Sequence, residues 1–318
     1  MVTAADDHST AAAYRTCAAF ARAHYENFPV ASRLLPADMR PHVAAVYAFA
    51  RVADDFADEG NLSAGERLAL LDDWLARLRQ TAGGAGARGQ VAKENGILTP
   101  PETDDIFLAL GCTIRDRALP LPLFEDLLSA FRQDVTTHRY ESWADVLDYC
   151  RRSANPVGRL VLAIAGLGAD ERLNGASDAL CTALQLTNFW QDLERDWQKG
   201  RLYLPLEECR REGADYDDLD RRTLSVPWRR VLQSAAARTG ALFLEGRPVC
   251  DGVRGRLRLE LRLTWLGGRR ILERLDQQAY DVFTRRPALG AGDVPILLWR
   301  ALTWRRRAAT VPVVAEER

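Results

Sequence analysis

The chain has 318 residues, of which 47% are hydrophobic, and its formal net charge is −1. This composition is enough to bury a large core, and the nearly neutral charge gives no sign of a nucleic-acid-binding surface. No helix-turn-helix, RNA-recognition or zinc-finger pattern is found, so a nucleic-acid partner is not expected. The six cysteines show no C-x-x-C spacing, which argues against zinc and favours buried, reduced thiols.

Helix follows helix along the sequence, with little alternation at a period of two residues. In chain order, the predicted helices are 11–25, 39–59, 64–81, 104–117, 122–137, 143–152, 157–165, 178–199, 228–245, 254–278 and 294–307. The glycine-rich stretch 82–96 is predicted to be a surface loop, and it lacks the G-K-[ST] ending of a phosphate-binding P-loop. No low-complexity linker divides the chain. We therefore expect an all-α protein with a single domain over 1–318 and flexible tails at about 1–13 and 309–318.

The two ends of the sequence suggest where in the cell the protein is found. The amino terminus is acidic and has no apolar core of signal-peptide length, and no stretch approaches about 20 uninterrupted apolar residues, so a cytoplasmic protein is expected. In the predicted helix 294–307, apolar side chains stand close to Arg300, Arg305, Arg306 and Arg307. This mixture is typical of a helix lying on a membrane surface, and a terminal helix packed on the core would explain it equally well. Peripheral contact with the inner membrane face therefore stays open beside a wholly cytoplasmic location.

Two segments carry aspartates four residues apart in step with other polar residues. They are RVADDFADE at 51–59 and QLTNFWQDLERDWQKGRLYLP at 185–205. At about 100° of rotation per residue, each set of polar residues shares one helix face. The first face carries Arg51, Asp54 and Asp58, and the second carries Gln185, Asn188, Asp192 and Asp196.

Acids at this spacing are common on solvated helices, but both segments here are rich in apolar residues. Carboxylates that face an interior or a cleft repel one another unless a cation compensates them. Hard oxygen ligands suit Mg²⁺, which usually completes its shell with water and substrate phosphate oxygens. The sequence therefore predicts a Mg²⁺ site that comprises Asp54, Asp58, Asn188, Asp192 and Asp196.

A phosphate held by Mg²⁺ needs cationic or donor partners as well, and arginine suits this task because it binds oxygens in pairs. Arg51 shares the first acidic face, while Gln185 shares the second. Lys199, Arg201 and Tyr203 follow the second motif directly. We expect these five residues to bind a diphosphate.

The run 24–59, HYENFPVASRLLPADMRPHVAAVYAFARVADDFADE, together with 185–205, resembles the squalene and phytoene synthases, the head-to-head prenyl transferases. The resemblance extends over roughly 24–286. It implies a single-domain isoprenoid-synthase helical fold with a central cavity, in which both aspartate-rich helices bind Mg²⁺ that holds a prenyl diphosphate. It also implies diphosphate contacts for Ser32 and Arg33, and it places Tyr47 and Tyr149 beside the reacting carbons.

Three segments are similar to one branch of this family, the bacterial hopanoid-pathway enzymes that convert presqualene diphosphate into hydroxysqualene. They are ENFPVASRLLP at 26–36, YCRRSANPVGRLVL at 149–162 and NFWQDLERD at 188–196. Where ordinary squalene synthases carry an arginine, this chain has Gln191, and the sequence SANP at 153–156 replaces their Ala-Gly segment. Both departures put the reductive formation of squalene in doubt.

The resulting hypothesis is a Mg²⁺-dependent conversion of presqualene diphosphate into hydroxysqualene, with Tyr47, Tyr149, Asn188 and Gln191 as the catalytic residues. One alternative is the condensation of two farnesyl diphosphates to presqualene diphosphate or squalene. The other is a non-catalytic assembly factor with the same fold, against which the intact acids of both motifs argue.

Overall fold

A computed structural model describes residues 4–24, 34–83 and 103–304. Over these residues the regular structure is helical, and the β-type pairing is limited to an isolated bridge between Arg139 and Leu202. In chain order, the helices are α1 (Ala4–Ala23), α2 (Arg40–Asp58), α3 (Ala64–Ala82), α4 (Thr103–Arg117), α5 (Leu121–Thr136), α6 (Trp143–Ser153), α7 (Asn155–Ile164), α8 (Glu171–Gln191), α9 (Leu193–Gln198), α10 (Leu206–Glu212), α11 (Tyr216–Asp220), α12 (Val226–Gly246), α13 (Val249–Gly252), α14 (Gly255–Gln277) and α15 (Asp293–Leu302). The all-α prediction is confirmed.

Short polar side chains set where several helices begin. Ser63 and Glu66 form a reciprocal capping box at the start of α3, and Ser142 and Asp145 form another at the start of α6. The Asp170 carboxylate accepts hydrogen bonds from the first backbone N–H groups of α8. Because the first N–H groups of a helix have no partner within it, these caps fix the starting points in the sequence itself.

Two long helices organise the core. Helix α2 packs against α1, α3, α4 and α5, and helix α8 packs against α7, α12 and α14. The rings of Phe49, Trp74, Phe107 and Phe124 form an aromatic cluster beside α2, with ring centroids 4.6–6.0 Å apart. Such edge and offset contacts of buried rings stabilise a core beyond the burial of their area.

An apolar cavity lies among α2, α7, α8 and α14. It is lined by Leu35, Val43, Gly158, Val161, Leu162, Ser177, Leu180, Cys181, Leu184, Val249, Leu257, Glu260, Leu261 and Thr264. Val43 precedes Asp54 by eleven residues on α2, and Cys181 precedes Asp192 by eleven residues on α8, which is about 16 Å of helix in each case. Both helices therefore run from the cavity toward their aspartates.

The structure departs from the predicted helices in several places. The predicted helix 178–199 begins seven residues too late, since α8 begins at Glu171. It is also not continuous, because α8 ends at Gln191 and the separate helix α9 follows. The short helices α10, α11 and α13 were not predicted, and α1 begins at Ala4, within the stretch expected to be a tail. The glycine-rich loop lies almost wholly outside the described residues, as does the tail 309–318.

Two further sequence expectations meet the structure directly. All six cysteines are free, four of them buried and two partly buried, as expected of reduced thiols. Among the helices that the structure describes, none is long and apolar enough to cross a membrane.

Candidate active site

The first aspartate motif forms a half-buried face on α2. Tyr47, Arg51, Asp54 and Asp58 are all partly exposed, while the residues between them are mainly buried. The side chain of Asp54 is 43% exposed and that of Asp58 is 24% exposed. The opposite side of α2 is packed in the core, so its acids lie on the partly exposed side of the helix.

The second motif lies at the junction of α8 and α9. Gln185, Asn188, Asp192 and Asp196 are partly exposed along the same side. Helical geometry is interrupted at Asp192, yet the Asp192 N–H still donates to the Asn188 carbonyl and the Asp196 N–H to the Asp192 carbonyl, both at 2.9 Å. The hydrogen bonds continue through the junction, so the two acids remain about one helical turn apart.

Basic side chains that follow the second motif reach the first. Lys199 Nζ lies 2.8 Å from Asp58 Oδ2, and the Arg201 guanidinium pairs with Asp58 Oδ1. The Lys199 side chain is 55% exposed, whereas that of Arg201 is 15% exposed. Since the predicted metal ligands and phosphate ligands from two distant segments meet at Asp58, the structure brings both halves of the predicted site together.

A third segment, which precedes α15, contacts the second motif. The Arg286 guanidinium donates to both oxygens of Asp192, at 2.5 and 2.8 Å. Beside it, Gln191 Nε2 donates to the Pro287 carbonyl at 2.5 Å. Nothing in the local sequence distinguishes Arg286 from an ordinary surface arginine.

Ionisation is uneven among the carboxylates. The pKa of Asp54 is raised to about 6, and burial is the largest cause. The charges of Asp58 and Asp55 act in the same direction, while the charge of Arg51 opposes them. Burial likewise raises the pKa of Asp196 to about 7, and the charge of Asp192 adds to this. Burial acts in the same direction on Asp58, but the hydrogen bond from Lys199 and the charge of Arg201 outweigh it and lower the pKa.

These observations fit a divalent cation. Four carboxylates and the Asn188 amide supply the oxygen donors that Mg²⁺ prefers. Burial is the main cause of the raised pKa values of Asp54 and Asp196, so their ionised forms are costly without a nearby cation. Within the described parts of the chain, no three His, Cys, Asp or Glu side chains are already arranged to hold a metal ion. Mg²⁺ would therefore need water and substrate oxygens to complete its shell, which is its usual behaviour in phosphate sites.

Arg51 retains a donor for a further anion. Its guanidinium lies 3.4 Å from Asp54 and 2.7 Å from Asp55. Its Nε is buried and has no hydrogen-bond partner among the described residues. Because an unsatisfied buried donor is costly, this N–H is a candidate donor to a ligand oxygen.

A second aromatic cluster, distinct from the one beside α2, lies next to the aspartates of the site. The Tyr203 ring stacks on the Phe189 ring with centroids 3.7 Å apart, and Tyr149 and Tyr140 pack beside them. The Tyr149 hydroxyl donates to Asp134 Oδ2 at 2.8 Å. Tyr203 was predicted to bind diphosphate, and the structure places its ring in this cluster, where it is 8% exposed.

The remaining predicted residues are placed as follows. The Tyr47 hydroxyl donates to the His24 carbonyl at 2.6 Å, which ties the end of α1 to α2. Gln185 and Asn188 lie on the partly exposed side of α8. Ser32 and Arg33 lie outside the described residues.

Sequence reasoning missed one acid at the site. Asp134 lies on α5 in the sequence FRQDVTTHRY, where no second acid stands at helical spacing. Its contact with Tyr149 depends on how α5 and α6 pack. The one available signal was an acid inside an amphipathic helix, which alone does not distinguish it from a surface residue.

Known proteins are similar to this chain. A family model described as squalene/phytoene synthase matches residues 21–293. A hydroxysqualene synthase from Rhodopseudomonas palustris is 37% identical over 263 residues, which are 82% of this chain and 82% of that protein. One from Zymomonas mobilis is 38% identical over 219 residues, which are 69% of this chain and 67% of the relative.

A solved structure is similar as well. The squalene synthase HpnC from Alicyclobacillus acidocaldarius has 39% sequence identity and a TM-score of 0.75, and the match covers 85% of this chain and 95% of that one. These matches make the non-catalytic alternative untenable. The chain is an enzyme and belongs to the squalene/phytoene synthase family.

Proposed function

We propose that this enzyme converts presqualene diphosphate into hydroxysqualene with release of diphosphate, and that it requires Mg²⁺. The observation that carries the proposal is the pairing of Asp58, on the first acidic face, with Lys199 and Arg201, which follow the second acidic face in the sequence. These contacts lie at one end of helices that line an apolar cavity. The cavity suits hydrocarbon, and the charged end suits a diphosphate bound with a cation. The named hydroxysqualene synthases among the relatives favour this substrate over other prenyl diphosphates.

The first chemical task is the departure of diphosphate. Bound Mg²⁺ would supply Lewis acidity and a template for the leaving group, with Asp54, Asp58, Asn188, Asp192 and Asp196 as its protein ligands. The side chains of Arg51, Lys199, Arg201 and Arg286 are positioned to bind the diphosphate oxygens as negative charge develops on them. Their ion pairs with the aspartates keep them at the site before substrate arrives.

The second task is control of the carbocation. Loss of diphosphate leaves a cyclopropylcarbinyl cation, which opens and takes a water molecule; one water proton is then lost to give the alcohol. Apolar walls limit premature capture, and aromatic faces such as those near Tyr149 stabilise a cation without reacting with it.

The source of the product oxygen follows from Gln191. This residue is neutral, and its amide nitrogen donates to the Pro287 carbonyl beside Arg286. A neutral amide can hold water through its remaining hydrogen-bonding capacity, whereas a guanidinium would hold an anion. We therefore propose that no nicotinamide is used and that the oxygen comes from solvent.

One experiment tests the reaction. Purified enzyme is incubated with presqualene diphosphate or farnesyl diphosphate, with and without Mg²⁺ and NADPH, in ¹⁸O-labelled water, and the products are identified by mass spectrometry. Labelled hydroxysqualene from presqualene diphosphate, formed only with Mg²⁺ and without NADPH, is the expected result. Presqualene diphosphate or squalene formed from farnesyl diphosphate would instead support condensation, which the similarity to the squalene synthase HpnC favours. Unlabelled hydroxysqualene would refute capture of solvent water.

We also propose that α15 contacts an anionic membrane surface at the cytoplasmic side. Only Asp293, Leu297 and Ala301 of this helix are buried, while Val294, Ile296, Leu298, Trp299 and Leu302 are 38–70% exposed. Arg300 is also exposed, and Arg305, Arg306 and Arg307 follow in the sequence, outside the described residues. An apolar surface next to cations fits anionic lipid, and delivery from a bilayer would spare a long hydrocarbon substrate its exposure to water.

A further inference from the structure

Asp134 is a buried acid with an incomplete set of partners. Asp134 is 8% exposed, and its Oδ2 accepts the hydrogen bond from the Tyr149 hydroxyl at 2.8 Å. Its other oxygen, Oδ1, is buried and has no hydrogen-bond partner among the described residues. A carboxyl group kept in such surroundings costs stability, so a role other than packing is indicated.

The electrostatic surroundings of Asp134 connect it to the predicted active site. The charges that act on it come from Arg201, Asp54 and Asp58, and Asp134 in turn acts on Tyr140 and Tyr203. Burial raises the pKa of Asp134 to about 7, while the hydrogen bond from Tyr149 opposes this rise. The acid therefore lies close to the first aspartate motif but is separate from the predicted Mg²⁺ ligands.

The ring of Tyr149 is held on several sides. Its centroid lies 5.5 Å from that of Tyr140, 5.8 Å from that of Tyr203 and 6.1 Å from that of Phe189. This packing fixes the plane of the ring but leaves the O–H bond able to rotate. Asp134 restrains this rotation, because its Oδ2 accepts the hydrogen bond that the Tyr149 hydroxyl donates.

We infer that Asp134 is a positioning residue that fixes the orientation of the Tyr149 hydroxyl for the carbocation steps of the reaction. With its proton directed to Asp134, the phenol oxygen offers lone pairs to its other side. In a site of low dielectric, the negative end of a fixed dipole stabilises a nearby cation more than a freely rotating group does. The inference rests on the proposed function, because it requires a carbocation beside Tyr149.

Three variants test this role in the full-length enzyme with Mg²⁺. Asp134→Leu removes the acceptor at similar size, Asp134→Asn keeps an acceptor oxygen without charge, and Tyr149→Phe removes the hydroxyl. We expect kcat to fall about 100-fold in Asp134→Leu and in Tyr149→Phe with KM nearly unchanged, and Asp134→Asn to recover part of the loss. The double variant Asp134→Leu/Tyr149→Phe should be no slower than Tyr149→Phe, since Asp134 would then have nothing to orient.

Glu208→Gln is the matched control. Glu208 is also a buried acid, 7% exposed, and accepts a ring hydrogen bond from Trp143 Nε1 at 3.0 Å. We expect this variant to change thermal stability and to leave kcat unaltered. An equal loss of kcat in Glu208→Gln and Asp134→Asn would make the effect a general consequence of altering a buried acid and would overturn the inference.

Two other results would also overturn it. One is a folded Asp134→Leu enzyme with wild-type kcat, and the other is a double variant in which the two losses multiply. If Asp134→Leu does not fold, Asp134→Asn decides, because its loss must disappear in the Tyr149→Phe background. The product of the wild-type enzyme tests the proposed function, whereas the ratio of variant to wild-type rates, on whichever prenyl diphosphate the wild type consumes, tests Asp134.

Discussion

Arg286 donates two hydrogen bonds to Asp192, at 2.5 and 2.8 Å, across 94 positions of the sequence. The hydrogen bond to Asp192 and the negative charge of that carboxylate raise the pKa of Arg286 against the effect of burial. A cation thus already compensates one predicted metal ligand. Under the proposed function, the same guanidinium would bind a diphosphate oxygen when Mg²⁺ and substrate are present.

Replacing Arg286 should therefore lower the catalytic efficiency, kcat/KM. We expect Arg286→Gln to lower kcat/KM by about 10- to 100-fold, the range for loss of hydrogen bonds to a charged group. Steady-state kinetics with presqualene diphosphate measure this effect. Arg285→Gln is the control, because Arg285 is adjacent but exposed, and it should behave as wild type. Equal kinetics for the two variants would remove Arg286 from the site.

The predicted Mg²⁺ ligands should be essential for turnover but not for folding. We expect Asp54→Asn and Asp192→Asn to reduce turnover by about 100-fold or more, since each removes charge that acts on the leaving group. Both variants should still fold, because both side chains are partly exposed and lie outside the packed core. Asp73→Asn, on the exposed side of α3, is the control. Near-normal turnover in both site variants would contradict the metal assignment.

The pH dependence of Mg²⁺ binding follows from Asp54 and Asp196. Their pKa values are raised to about 6 and about 7, so the folded protein holds these protons more tightly than the unfolded chain does. In metal-free enzyme, the stability that these two acids contribute is present below about pH 4 and is lost as the pH rises through about 6 to 7. Because Mg²⁺ binds the ionised carboxylates, the rise in Tm on adding Mg²⁺ should be larger at pH 8 than at pH 5.5.

Asp196→Asn separates the two effects. Without Mg²⁺ at pH 8, this variant should unfold at a higher temperature than wild type, because it lacks a buried charge that is repelled by Asp192. Its response to Mg²⁺ should be smaller. A Mg²⁺-induced rise in Tm that is the same at both pH values, in both proteins, would show that these acids do not bind the metal.

The exposed side of α15 should determine binding to lipid. We expect Trp299→Ser/Leu302→Ser to reduce pelleting with anionic liposomes at least about tenfold, since burial of each side chain in the interface contributes about 1.5–3 kcal/mol. Val226→Ser/Leu244→Ser is the matched control, because these apolar residues are 60% and 54% exposed on another helix. Equal pelleting of the two variants, or no pelleting of the wild type, would leave α15 as an ordinary surface helix.

Local spacing predicted those features of the site that one helix contains. Asp54 and Asp58 share a face of α2 because their positions differ by about one helical turn, and no tertiary information is needed for this. The helices α10 and α11 escaped prediction because runs of five to seven residues are too short to display a helical period. The break at Asp192 lies at neither Gly nor Pro, so the sequence contains no conventional breaker to announce it.

Contacts between distant segments could not be predicted in the same way. The pairing of Arg286 with Asp192 depends on the path of the chain from α14 to α15, and Asp134 meets Tyr149 only because α5 packs against α6. Neither residue has a partner at helical spacing that would distinguish it from a solvated charge. The family resemblance added Ser32, Arg33, Tyr47 and Tyr149 to the predicted site but not these partners.

The ion pairs at the site also affect how the protein can be made in a cell. Zinc fingers need their metal to fold, because the liganding side chains have no other source of compensation. Here Lys199 and Arg201 neutralise Asp58, and Arg286 neutralises Asp192, so part of the counter-charge is encoded in the chain. A newly synthesised molecule can thus fold and accumulate when free Mg²⁺ is scarce. If turnover requires Mg²⁺ as proposed, the supply of magnesium would set the rate of turnover. The amount of enzyme would be set by its synthesis and degradation alone.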